Sequence, residues 1–109
     1  MENEPRILKI YIRDGGKQPF QEWFDGLKNE KVKSKIGNRL ILLRLGHLGK
    51  HRMLSGGLAE LKIDFGPGYR VYIGLEGKVF VVLLCGGDKG RQDQDIELAK
   101  RYWDDYRGK

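Results

Sequence analysis

The spacing of apolar positions divides the chain into a short series of elements. Residues 6–13 alternate, with Leu8, Ile10 and Ile12 on one side and Ile7, Lys9, Tyr11 and Arg13 on the other. One wholly aliphatic face and one mixed face predict a half-buried strand. Asp14-Gly15-Gly16 ends it with turn chemistry. Pro19 stands where a first helical turn would begin, and Phe20, Trp23, Phe24 and Leu27 follow at helical spacing. They predict a short helix with an aromatic core face. A second helix is expected from about Asn29 to Leu45, with Val32, Ile36, Leu40 and Leu43 as its apolar stripe and Gly46 as a cap.

Three strands are expected next. Leu58 to Phe65 alternates Leu58, Glu60, Lys62 and Asp64 against Ala59, Leu61, Ile63 and Phe65. Gly66-Pro67-Gly68 turns the chain into Tyr69–Leu75, and Glu76-Gly77 makes a short hairpin connection. Val79 to Leu84 is continuously apolar, which predicts a central strand buried on both faces, released by Gly86-Gly87 into a polar loop. A last helix is expected from about Asp93 to Tyr106, with Ile96, Ala99, Trp103 and Tyr106 on one face. The order is β-α-α-β-β-β-α. It belongs to the α/β (α+β) class, with three consecutive strands in an antiparallel meander and helices packed on the sheet.

With 109 residues, 39% apolar and 33% charged, the chain fits one globular domain spanning 1–109. Its longest apolar run, Val79 to Cys85, is far too short to cross a bilayer, and no membrane partner is expected. The start, Met1-Glu2-Asn3-Glu4-Pro5, does not read as a signal peptide, so a cytoplasmic protein is the simplest expectation. Cys85 is the single cysteine, which excludes an internal disulfide and a cysteine-cluster metal site. His47 and His51 lack an acidic third ligand nearby, and neither a metal nor any other cofactor is expected.

The net charge of +6 is unevenly placed. Residues 1–56 carry 12 Lys/Arg against 6 Asp/Glu, whereas positive and negative side chains balance in the remainder. Lys28, Lys31, Lys35 and Arg39 form a basic stripe beside the apolar stripe of the second helix, and Arg52 adds to the same half. Such a local field favours a polyanion or an acidic partner protein. No phosphate-binding glycine loop, dinucleotide fingerprint or Ser/His/Asp set is present. What remains is a group of cations in or beside the strands: Lys62, Arg70, Lys89 and Arg91. Antiparallel pairing can bring their three regions to one sheet surface. A cationic surface of this kind can cleave RNA without metal. The 2′-hydroxyl attacks the adjacent phosphorus, and arginine and lysine stabilise the charge that develops. A lysine crowded by other cations can have a lowered pKa and act in proton transfer.

Several segments together carry a family resemblance. They are Leu54-Ser55-Gly56-Gly57-Leu58-Ala59-Glu60-Leu61-Lys62-Ile63, Gly66-Pro67-Gly68-Tyr69-Arg70-Val71-Tyr72 and Leu84-Cys85-Gly86-Gly87-Asp88-Lys89, followed by Gln92, Asp95-Ile96 and Ala99. Phe20-Gln21-Glu22-Trp23-Phe24 fits as well. The chain resembles the HigB-like, phage-derived branch of the RelE/ParE toxin superfamily over residues 6 to 106. That resemblance implies a RelE-like fold and ribosome-dependent cleavage of translated mRNA. It places Arg70 on the scissile phosphate, Lys62 at a catalytic lysine position, and Lys89 and Arg91 near the basic position after the last strand. Lys28, Lys31, Lys35, Arg39, His51 and Arg52 would hold RNA. A cognate helix-turn-helix antitoxin would neutralise the protein. The chain departs from RelE-type sequences in carrying Glu60 near one of two basic positions, and in lacking an aromatic residue between Gln92 and Ile96. The general base stays open between His51 and Lys62. A ParE-like gyrase poison and a non-catalytic binding module are the alternatives on the same fold.

Overall fold

The computed structural model describes residues 4–108. The elements are β1 (Ile7–Ile10), α1 (Pro19–Asp25), α2 (Glu30–Arg44), β2 (His51–Met53), β3 (Leu58–Ile63), β4 (Tyr69–Glu76), β5 (Phe80–Asp88) and α3 (Gln92–Gly108). The five strands form one sheet in the order β1-β5-β4-β3-β2. All pairs are antiparallel except β1 with β5. The α+β class and the expected order therefore hold, with β2 as an added edge strand. No helix among the described residues is long and apolar enough to cross a membrane.

Local chemistry explains the helix limits. Pro19 opens α1, where its missing N–H costs nothing. Asn29 caps α2 by accepting hydrogen bonds from the backbone of Lys31 (2.8 Å) and Val32 (3.3 Å). At the other end Gly46 adopts φ 97°, its N–H bonds to the Leu43 carbonyl, and the His47 N–H reaches the Leu42 carbonyl. That crossed pair of bonds is the Schellman arrangement, which needs the left-handed conformation glycine accepts at least cost.

Helices cover both faces of the sheet. On one face Phe20 of α1 and Val32, Ile36 and Leu43 of α2 pack on Ala59, Leu61, Ile63, Val71, Ile73, Val81 and Leu83. On the other, Ala99, Tyr102 and Trp103 of α3 pack on Leu58, Tyr72, Val82 and Leu84. The period-two alternation of the strands sorts these residues, so the meander separates two cores.

Three expectations are corrected and one strand is added. Ile12 was assigned to the aliphatic face of the first strand, but β1 ends at Ile10 and Ile12 is half exposed. Tyr11, assigned to the mixed face, is buried against α3. Residues 51–53, which carry no apolar pattern of their own, form β2, held by pairing with β3. The Gly86-Gly87 pair does not release the chain: β5 runs through it to Asp88. A β-carbon at Gly86 would lie 2.2 Å from the Trp23 ring of α1, and one at Gly87 would lie 1.9 Å from the Asp95 carboxylate of α3. The glycines are there for close packing on both faces, not for a turn.

Candidate functional site

The register of the meander assembles the site. Lys62 on β3 is the cross-strand partner of Arg70 on β4, and Arg70 is opposite Gly87 on β5. Directly opposed residues share a face, and Glu60, Lys62, Arg70 and Tyr72 all lie on the face covered by α3. Gly68 joins Lys89 to this row. A β-carbon on Gly68 would meet the Lys89 side-chain stem at 3.6 Å and Arg70 Nη1 at 3.7 Å, so the Lys89 stem and the Arg70 guanidinium both border the turn. The backbone N–H of Lys89 also donates to the Gly68 carbonyl at 3.1 Å. Arg91 follows in a 3-10 turn, exposed, and a shallow recess of about 320 Å3 lined by residues 89–94 opens there.

Glu60 lies at the centre of the cluster and is fully buried. Its Oε2 accepts hydrogen bonds from the Tyr72 hydroxyl (3.0 Å) and the Gln92 amide (2.9 Å). Arg70 Nε stands 3.7 Å from the same oxygen, and Arg52 Nη2 is 3.3 Å from Oε1. Burial, and then the hydrogen bond to Glu60, push the Tyr72 phenol far above its ordinary value, so it stays a donor. Arg70 is 7% exposed, which makes it a wall of the site rather than an ordinary surface cation. Glu60 Oε1, Arg70 Nε and Asp95 Oδ2 are buried without a hydrogen-bond partner. Burial raises the Asp95 carboxyl, against the opposing pull of Arg91.

The sequence-predicted residues thus separate into groups. Lys62, Arg70 and Lys89 come together, with Arg91 just beyond them. Arg52 joins them through Glu60 and not through the helix stripe. Lys31 and Lys35 are exposed on α2, and Lys28 is exposed just before it. The Lys35 ammonium lies 5.6 Å from the Phe65 ring, which puts it at the same end of the sheet as Lys62 but on the opposite face. Arg39 breaks the stripe. Its guanidinium donates to the carbonyls of Lys62, Leu48 (2.8 Å) and Lys50 (2.8 Å), binding α2 to the segment before β2. His51 pairs with Leu61, so it lies on the α2 side, and its Nδ1 contacts the Gly49 carbonyl at 2.7 Å. The two candidate bases, His51 and Lys62, are on opposite faces.

Sequence reasoning missed that Glu60 gathers Arg52, Arg70, Tyr72 and Gln92 around one buried carboxylate. One sign was present: Glu60 alternates onto the same face as Lys62 within a strand buried at nearly every position.

The fold and the site define a small α+β domain whose sheet, between helices, carries a cation cluster built around one buried carboxylate. No family model matches the chain. It is 47% identical over 81 residues to a protein of Haemophilus influenzae described as an uncharacterized protein, an alignment covering 74% of this chain and 82% of that one. The chain belongs to the same family as that protein.

Proposed function

We propose that the protein is the toxin of a toxin–antitoxin pair of the RelE/ParE type, a metal-independent endoribonuclease that cuts mRNA on the ribosome. The observation that carries this reading is the side-by-side placement of Lys62 and Arg70 in the register, with Lys89 beside the Arg70 guanidinium. In the proposed reaction the 2′-hydroxyl gives up its proton to solvent water as its oxygen bonds to phosphorus and the bond to the 5′-oxygen breaks. Arg70 stabilises the extra charge on the phosphoryl oxygens, and a lysine ammonium of the row protonates the departing 5′-oxygen. The exposed Lys28, Lys31 and Lys35 supply sequence-independent attraction for ribosomal RNA. The net charge of +6 suits an acidic segment of a helix-turn-helix antitoxin as the neutralising partner.

The test is induced expression with mapping of mRNA 5′ ends. Cuts inside translated codons that disappear in Lys62→Ala and Lys89→Ala, both still folded, are the expected result. Growth arrest with intact mRNA and broken DNA would replace this reading with a gyrase poison. No arrest would leave a non-catalytic binding module.

A further inference from the structure

Glu60 has more attached to it than a space-filling core residue requires. A buried carboxylate carries a desolvation penalty, and apolar replacements of buried ion pairs are often neutral or stabilising. Here one carboxylate gathers side chains from three other elements: Arg52 from β2, Arg70 and Tyr72 from β4, and Gln92 from α3. Among the described residues it is the only carboxylate paired with either arginine. The arginines take different oxygens, Arg70 at Oε2 and Arg52 at Oε1. Arg70 approaches through Nε, its inner nitrogen, while Nη1 bonds to the Tyr69 carbonyl at 3.3 Å. A bidentate pair formed only for strength would present the guanidinium fork to the carboxylate.

Resting on the phosphodiester reading above, we propose that Glu60 is a positioning residue that orients Arg70 and Arg52 as a pair of guanidiniums for one phosphate group. The carboxylate fixes the direction of both arginines without touching the substrate. Tyr72 and Gln92 in turn fix the carboxylate. Lys62, the next position along β3 on the same face, completes the surface the phosphate meets. A preset guanidinium loses less freedom when the anion arrives.

Glu60→Gln tests this, because the amide oxygen still accepts from Tyr72 and Gln92 while the charge is gone. The readouts are the Nε–Hε NMR signal of Arg70, its response to inorganic phosphate, and kcat and KM for mRNA cleavage on the ribosome. In the wild type the Arg70 signal is resolved and shifts with phosphate. In Glu60→Gln it collapses into the bulk arginine signal, the phosphate response is lost, and kcat falls about tenfold or more at little-changed KM. Tyr72→Phe and Gln92→Ala, which keep the charge but each remove one hydrogen bond from the carboxylate, leave the Arg70 signal resolved but shifted. An unaltered Arg70 signal and unaltered kcat per folded molecule in Glu60→Gln would overturn the proposal. Should that variant not fold, Glu60→Asp carries the same test, since it withdraws the charge by one methylene. A wild type that cuts no mRNA yet shows the Glu60-dependent phosphate response would sink the nuclease reading and leave the positioning role. A wild type that cuts, with Glu60→Gln its equal, would do the reverse.

Discussion

Asp95 sits in the first turn of α3 with Oδ2 against Gly87 and no hydrogen-bond partner for that oxygen. Burial raises its carboxyl above the ordinary value of 3.8. Between that value, which applies to the unfolded chain, and the raised folded value, the folded state binds more protons than the unfolded state. Stability contributed by this group therefore falls as pH rises through the window. Asn at this position has no such dependence. We expect the stability of Asp95→Asn relative to wild type to increase with pH from the ordinary carboxylate value up to the raised folded pKa and to be flat above it. Urea midpoints across that range measure it, and a difference independent of pH would show that the carboxyl is not raised. Residues of this kind were the least legible in the sequence. Asp95 reads as an ordinary acidic residue in a first helical turn, and only its approach to Gly87 reveals the burial.

Elements were more legible than their neighbours. The α2 limits followed from Asn29 and Gly46, because capping is decided within a few residues. The end of β5 did not follow, because a Gly-Gly pair means a turn locally and close packing in context. Two glycine substitutions separate these meanings. Gly86→Ala places a methyl group into the Trp23 ring, and overpacking of this kind costs about 1–3 kcal/mol. Gly37→Ala in α2 meets nothing within 4 Å and gains about 0.5–1 kcal/mol from helix propensity. Chemical denaturation of both variants should give shifts of opposite sign. A Gly86→Ala protein as stable as the wild type would mean that Trp23 does not rest on β5. The edge strand β2 was missed for a related reason. His51–Met53 is exposed on every residue and owes its form to pairing with β3.

Across the whole molecule, the basic residues of α2, from the positively charged first half, and a second group of cations from the charge-balanced remainder meet at one end of the sheet. Lys31 and Lys35 lie on the α2 side, and Lys62, Arg70 and Lys89 on the α3 side. A polyanion held by the first group can pass the end of the sheet to reach the second. Reversing Lys31 and Lys35 to Glu should weaken co-sedimentation with ribosomes and reduce the salt dependence of binding by about two ion contacts. Both side chains are exposed on the helix surface, so folding should be preserved. Unchanged co-sedimentation would remove α2 from the binding surface.

The exposed Lys31 and Lys35 of α2, the alternation of the meander strands and the β-α-α-β-β-β-α order apart from the edge strand β2 were determined by the sequence alone, because each depends on spacing along one segment. Lys62, Arg70 and Lys89 were legible as candidates for the same reason. Only the tertiary structure decided what each cation does with its charge. It bound Arg39 to three carbonyls, turned His51 to the opposite face, and drew Arg52 and Arg70 onto Glu60. The physical reason is that a side chain's period fixes the direction it points within its own strand, whereas its partner is fixed by the register between strands distant in sequence.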